Sequence, residues 1–489
     1  MLNLKKIQNI MRQDSGVNGD AQRIEQIVWI LFLKLYDEYE KRWQTEAGIA
    51  LQSYTSIIPL EFAWDSWAKD DKSGSALSAE SLLDFVNNKL FPTLKNLPIT
   101  AQTPLYQSIV KKAFEDTNNY MKDGILLRQV INEIDTISLN ESHLRQTYEH
   151  FLRELQSAGN AGEFYTPRAV TDFVMKILEP KLSDKIADLA CGTGGFLTSA
   201  YHYLESQIKT ASDRSALKST FYGIEKKSLP FILCATGFLI NGLENPNLEH
   251  SNAFDTPFDC LSELESFDII AMNPPYGGVE TKEIQNNFPK IYRSSETADL
   301  FLAIITERLK EGGKAAVVLP DGLLFGDDAP KINIKKRLLN ECDLNLIIRL
   351  PSGVFAPYTS IATNILFFSK NLGGTKSTQF YRLDMPEGIK SFSKTKAMEL
   401  AHFNEFFEWD KNGRATLQDK SGNFKAKSYT KEELESRNYN FDLCGYVSDQ
   451  EEILEPFMLI EQIKNERKRL NTTLDCLMEQ IARIIKDNE

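Results

Sequence analysis

The chain has 489 residues, 42% of them hydrophobic and 25% charged, with a formal charge of −12. That length allows two or three domains with a sizeable core, and no apolar stretch approaches the ~18–20 residues of a membrane span, nor is there an apolar core behind the N-terminal lysines to make a secretory leader. The acidic balance argues against nonspecific nucleic-acid binding, which leaves a basic footprint, but leaves room for a local basic surface or for a partner that supplies phosphate contacts.

Residues 1 to about 155 read as a helical domain. Ile24, Ile27, Val28, Leu31, Phe32, Leu35 and Tyr36 recur at helical spacing behind Asp20, which is expected to cap. The pattern returns around Leu82 to Val86 and Ile125 to Ile134. No catalytic motif falls here, so packing, ligand gripping or partner binding are the expected roles. Ser157-Ala158-Gly159-Asn160-Ala161-Gly162 is a small-residue break that closes the domain.

Glu163-Phe164-Tyr165-Thr166-Pro167-Arg168 then opens an amphipathic helix, Ala169 to Leu178. Pro167 suits the first helical turn and Thr166 its cap, which makes a plain helix start. The hydroxyl and free N–H groups could also hold the carboxylate of an amino-acid ligand. From here strands and helices alternate. Candidate strands are Lys185–Leu189, Phe221–Glu225, Phe267–Met272, Lys314–Leu319, Leu344–Leu350 and Ile361–Phe368, with helices between them such as Leu300 to Leu309. This order predicts an α/β architecture with a mostly parallel, doubly wound sheet.

Asp188-Leu189-Ala190-Cys191-Gly192-Thr193-Gly194-Gly195-Phe196 leaves the first strand and enters a helix. Its glycines permit a sharp turn and close approach to a ligand. It is neither a Walker loop nor a dinucleotide GxGxxG, and Asp188 favours a cationic ligand group over a pyrophosphate. Glu225, ending the second strand, is placed to accept from two ribose hydroxyls, although alone it can also be read as a surface glutamate.

Asn273-Pro274-Pro275-Tyr276 follows the apolar run Phe267 to Met272. Two prolines cannot continue a sheet ladder, so they hold a stiff loop at the strand's C-terminal end, where open α/β sheets bind ligands. The loop offers an amide oxygen, a backbone carbonyl and an aromatic face. The oxygens can accept both hydrogens of a planar –NH2 group, and the ring can stack on its plane. With an acid for ribose, an acid for a positive centre and a helix start for a carboxylate, the set fits S-adenosylmethionine as donor and an exocyclic amine or amide as acceptor.

Lys331 to Arg337 (KINIKKR) and Lys464 to Arg469 (KNERKR) are basic clusters, readable as phosphate surfaces or as solvated helix faces. Gly373 to about Asn438 turns polar and irregular. Ile460, Ile463, Leu470, Leu474, Leu477, Ile481 and Ile484 then follow heptad spacing, interrupted at Arg467, for a short coiled coil or for packing on the chain's own domain. The six cysteines are scattered without a CxxC pair. They read as reduced buried thiols of a cytoplasmic protein, with no metal site.

GEFYTP, DLACGTGGF, the strand-end Glu225 and NPPY, in this order, resemble amino-group DNA methyltransferases. The helical N-terminus, AGEFYTPRAV, GGKAAVVLPDGLLFG (312–326) and LPSGVFAPYTSIATNILFF (350–368) more closely resemble the modification subunit of type I restriction–modification systems. The resemblance covers nearly the whole chain. It implies a Rossmann-like S-adenosylmethionine-dependent methyltransferase fold over residues 156–440. A helical domain over 1–155 for DNA and partner contacts would precede it, and a coiled-coil-like helical tail over 441–489 would dock the specificity subunit.

The resemblance also implies roles. Glu163, Phe164, Tyr165, Thr166, Pro167 and Arg168, with Ala190, Gly192, Thr193, Gly194, Gly195 and Phe196, would contact the cofactor. Asp188 would lie near its methionine part and Glu225 on its ribose. Asn252, Ala253 and Phe254, after the third strand, would lie near its adenine. Asn273, Pro274, Pro275 and Tyr276 would form the catalytic loop, with Asn273 and Pro274 orienting the amine and Tyr276 stacking on the base. The implied reaction is methyl transfer to adenine N6 in double-stranded DNA, on a base flipped out of the helix. The stretch after residue 368 holds no clear recognition domain. The implied assembly therefore has a separate specificity subunit flanked by two copies of this chain, joined by a restriction subunit for cleavage. Cytosine N4 methylation shares the geometry, though Asp or Ser in place of Asn273 would favour it. Protein glutamine methylation also suits the loop, but those enzymes are shorter and lack the helical N-terminus and C-terminal seam. A catalytically silent scaffold is disfavoured by the intact motifs.

Overall fold

Near-continuous apolar runs such as Ile269-Ile270-Ala271-Met272 belong to strands covered on both faces. The computed structural model describes residues 4–69, 77–137, 141–155, 165–243, 247–359, 361–393 and 396–445, with isolated helical positions between 460 and 478. Among these residues ten strands form one sheet, in the order β3-β2-β1-β4-β5-β7-β6-β8-β10-β9. They are β1 (Ile186–Asp188), β2 (Phe221–Glu225), β3 (Asn247–His250), β4 (Phe267–Met272), β5 (Leu309–Pro320), β6 (Cys342–Arg349), β7 (Thr363–Lys370), β8 (Ser377–Arg382), β9 (Leu417–Gln418) and β10 (Phe424–Thr430). Neighbours from β3 through β5 pair parallel. β7 lies antiparallel between β5 and β6, β8 runs parallel to β6, and β10 and β9 close the far edge antiparallel.

Alternate residues of each strand enter two separate cores. Ile186, Ile269, Ala271, Ala316 and Val318 face one of them. Ala187, Ile270, Met272, Ala315 and Val317 face the other. The helices that matter for the site are α1 (Gly19–Ile49), α2 (Leu105–Phe114), α3 (Glu141–Leu155), α4 (Arg168–Leu178), α5 (Gly195–Glu205), α6 (Ser228–Asn241), α7 (Thr297–Arg308), α8 (Asp321–Phe325) and α9 (Ala329–Glu341). Helices α4, α5 and α6 supply the first core, and α7 and α9 the second. This is the doubly wound arrangement, with a mixed, mainly antiparallel half appended to its parallel half.

The N-terminal helices form a further layer over α6. Tyr39 and Tyr148 donate their hydroxyls to the carbonyls of Leu239 and Leu233, each at 2.6 Å. Lys112 donates to the Leu248 carbonyl at 2.9 Å, so the layer also grips the end of β3. Every residue of α6 from Pro230 to Asn241 is buried as a result. A helix apolar on all sides needs cover on all sides.

Several local expectations change. Helix α1 begins at Gly19, so Asp20 lies in its first turn, pairing with Arg23, instead of capping it. Pro167 takes the N-cap position of α4, and Thr166 stands one residue outside. The helix expected over Leu300 to Leu309 runs Thr297–Arg308, and β5 begins at the next residue. The polar stretch 373–438 is not irregular, since it carries β8, β9 and β10. The KINIKKR cluster is no open basic face: Lys331 and Lys335 are buried, and Arg337 pairs with Glu307 and Glu341. Of the KNERKR cluster, Lys464, Arg467 and Lys468 are helical and exposed.

Residues Met1–Gly445 form one compact unit and Tyr446–Glu489 a second. In the second, Ile460 of the predicted heptads is helical and 51% exposed. Ile463, Leu470, Leu474, Leu477, Ile481 and Ile484 lie outside the described residues.

Candidate active site

The C-terminal ends of the parallel strands converge on one cavity of about 360 Å³. Asp188 ends β1, Glu225 ends β2, Asn252 to Phe254 follow β3, and Asn273 follows β4. Gly192 and Gly194 take positive φ values of 54° and 78°, which let the β1–α5 turn reverse within a few residues. The Gly192 N–H donates to Glu225 Oε2 at 2.9 Å, and the Lys227 N–H donates to Oε1 at 2.8 Å. Glu225 is thereby fixed at both oxygens. Asp188 accepts from the Ala190 N–H at 3.2 Å.

Both carboxylates are buried. Burial pushes the Asp188 carboxyl well above the usual range against the pull of the Ala190 N–H, and the nearby Glu225 adds to the rise. Burial also raises Glu225, opposed by its backbone donors. Two acids held against their charge on the wall of a cavity favour a cationic ligand. Lys226, at the rim, is engaged by Glu280 at 3.0 Å.

The Asn273–Tyr276 loop is fastened from several sides. The Asn273 amide donates to Thr166 Oγ at 3.1 Å, and the Tyr276 hydroxyl donates to Asn273 Oδ1 at 2.5 Å. Burial raises the Tyr276 phenol well above its usual value, so it stays protonated and can donate. The Asn273 carboxamide is thus oriented at both ends, and among the described residues no second donor reaches its oxygen, which keeps one lone pair. Thr297 donates its hydroxyl to the Pro275 carbonyl at 2.9 Å and its N–H to the Gly278 carbonyl at 3.1 Å. Phe355 meets the Tyr276 ring edge-on, with centroids 6.2 Å apart.

Thr166, Asp188, Ala190, Gly192, Gly195, Phe196, Glu225, Asn252, Ala253, Phe254, Asn273, Pro275 and Tyr276 all line the cavity. Thr193 and Pro274 are buried in their loops, and Gly194 packs against Cys234 and Phe238. Tyr165, Pro167 and Arg168 line a different cavity of about 660 Å³, with Val354 and Ala356 across it. The Arg168 guanidinium braces α3 to α5, donating to Glu149 at 3.0 Å and to the Gly195 carbonyl at 2.7 Å. Glu163 and Phe164 lie outside the described residues. Sequence reasoning missed Thr297, Phe355 and the Lys226–Glu280 pair. Nothing local marks them, because Thr297 meets Pro275 across 22 residues.

Comparison with known proteins gives this geometry a family. Residues 140–454 match the family model described as N-6 DNA Methylase, and residues 3–134 match the HsdM N-terminal domain. The chain is 43% identical over 492 aligned residues to the type I restriction enzyme EcoEI methylase subunit of Escherichia coli, covering 99% of this chain and 98% of that one. The crystal structure of a modification subunit of a type I restriction enzyme from Vibrio vulnificus is 36% identical, with a TM-score of 0.75 over 92% of this chain and 97% of that one. A chain from a study of complex assembly and conformational transition in the type I system is 30% identical, with a TM-score of 0.77 over 99% and 98%. The N6 match favours neither cytosine N4 nor protein glutamine methylation, and it implies S-adenosylmethionine as cofactor. No helix among the described residues is long and apolar enough to cross a membrane. The chain therefore belongs to the N6 DNA methylases as a type I modification subunit, an adenine-specific DNA methyltransferase.

Proposed function

We propose that the cavity bounded by Asp188, Glu225 and Asn252 to Phe254 holds S-adenosylmethionine, and that Asn273 to Tyr276 hold a flipped adenine at its edge. The observation that carries this reading is the pair of buried, charge-disfavoured carboxylates beside an Asn273 side chain already oriented by Thr166 and Tyr276. The residues fit the cofactor. Asp188 suits its cationic amino-acid part, Glu225 its ribose, and the apolar wall of Ala253 and Phe254 its base. When bound, the cofactor supplies an electrophilic methyl group.

The chain's own residues then do the rest. Asn273 Oδ1, with its remaining lone pair, and the Pro274 carbonyl accept the two amine hydrogens and increase electron density on nitrogen. The Tyr276 ring stacks on the base. Rate enhancement comes from positioning and electrostatics; the nitrogen takes the methyl group and releases one of its protons to solvent during or after transfer, with no general base needed at the loop. A base inside a duplex cannot reach this loop, so it must leave the stack. The subunit works in the cytoplasm, two copies flanking a DNA-specificity subunit that reads the sequence, and a restriction subunit joins for cleavage. Titration calorimetry of S-adenosylmethionine into the Asp188→Asn variant tests the cavity assignment. Affinity is expected to fall about tenfold, or ~1.4 kcal/mol; wild-type affinity would overturn it.

A further inference from the structure

The cation-rich run Lys331–Arg337 opens with a lysine turned inward. Lys331 is 7% exposed, and its ammonium meets Glu296 at 3.0 Å, Asp299 at 3.2 Å and Asp328 at 3.0 Å. Gly326 makes room for its stem, since a Cβ there would stand 2.3 Å from the lysine Cδ. Asp328 caps the lysine's own helix, α9. Glu296 and Asp299 belong instead to the start of α7, on either side of Thr297. Ser294 donates to Asp299 Oδ2 at 2.6 Å and accepts from the Glu296 N–H at 3.1 Å. The whole turn 294–299 is therefore tied to Lys331.

The other side of the turn reaches the catalytic loop. The two bonds from Thr297 go to the carbonyls of Pro275 and Gly278, which bracket Tyr276. The fit is close: a Cβ on Gly278 would lie 2.7 Å from Thr297 Oγ. Val279 also bridges to Glu296. Removing the ammonium would leave Asp299, fully buried, without its counter-charge.

We propose that Thr297 is a positioning residue of the catalytic loop, and that Lys331 acts through the 294–299 turn to hold Thr297 in register. The proposal rests on the reading of Asn273 to Tyr276 as the base-holding loop. It assigns to Lys331 a part in methyl transfer from outside the cavity.

The test is a double-mutant cycle in the full-length subunit bound to its specificity subunit, read by single-turnover methylation of cognate DNA and by cofactor calorimetry. Thr297→Val is expected to slow the methylation step about tenfold with cofactor affinity held, and Thr297→Ser to restore most of the rate. Lys331→Met should slow the step to a similar extent, and the double variant should be no slower than the slower single. A wild-type rate in either Thr297→Val or Lys331→Met, or losses that multiply in the double variant, would overturn the proposal. If Lys331→Met does not fold, Glu296→Gln takes its place in the cycle with the same expected coupling. Tyr276→Ala separates the two readings. An unimpaired Tyr276→Ala would sink the base-holding role itself, whereas an impaired Tyr276→Ala beside an unimpaired Thr297→Val would sink only the positioning role.

Discussion

The Tyr276 hydroxyl donates to Asn273, so the proposed base-stacking ring and the hydroxyl can be tested apart. Tyr276→Phe keeps the ring and frees the Asn273 carboxamide. It is expected to slow methylation about five- to tenfold, ~1–1.4 kcal/mol for one lost hydrogen bond, with calorimetric cofactor affinity unchanged. Tyr276→Ala also loses the stacking surface and should cost a further ~1–3 kcal/mol. A Phe variant as slow as the Ala variant would mean that the ring contributes nothing. Asn273→Ala should abolish methyl incorporation while sparing cofactor binding, and near-normal methylation by that variant would refute its role.

Asp188 and Glu225 give the site a pH dependence of definite sign. Burial holds both carboxyls above their ordinary range, about 4. The ligand-free folded state therefore keeps protons that the unfolded chain has released. The contribution of these groups to stability is full below about pH 4 and is lost as pH rises through their raised values. A cationic ligand favours the ionised forms, so its binding expels protons and tightens with rising pH across the same window. Calorimetry in buffers of different ionisation heat counts those protons, and an affinity that weakens as pH rises there would contradict the assignment. Asp188, Glu225 and Asn273 were legible in the sequence because each ends or follows an apolar strand. Thr166 was legible as a residue of the site but not in its contact, since its partner Asn273 is 107 residues away.

At the scale of elements, the β1–α5 turn shows how tightly backbone conformation and packing are joined. Gly194 has φ of +78°, and a Cβ there would stand 2.7 Å from Cys234 Sγ on α6. Gly194→Ala is expected to lower stability by ~1–3 kcal/mol, measured as a shift in the urea midpoint, and to weaken cofactor binding with it. An unchanged midpoint would mean that the turn has slack. The strands β1, β2 and β4 could be read from sequence because parallel strands buried on both faces are near-continuous apolar runs. β10, Phe424–Thr430, escaped because Lys425, Lys427 and Ser428 interrupt its apolar pattern, and Lys425 is buried only through its pairs with Asp384 and Glu405. KINIKKR misled for the opposite reason. Composition counts its cations, but helical periodicity turns Lys331 and Lys335 inward, towards carboxylates and the carbonyls of Leu324 and Gly326.

Across the whole molecule, the helical layer over α6 explains why a chain whose cavity is lined by residues from Thr166 onward needs the helices before it. The sheet's α6 face is closed by residues such as Tyr39, Lys112 and Tyr148. The net charge of −12 is no obstacle if the specificity subunit supplies base reading and phosphate contacts. Deleting residues 446–489 should leave the thermal unfolding of the compact Met1–Gly445 unit nearly unchanged and abolish co-purification with the specificity subunit. Retained co-purification would move the docking surface elsewhere. The most direct measurement co-expresses this chain with a candidate specificity subunit and analyses the digested DNA by mass spectrometry. N6-methyladenine should appear with the wild-type chain and vanish with Asn273→Ala. N4-methylcytosine, or no methylated base, would contradict the account.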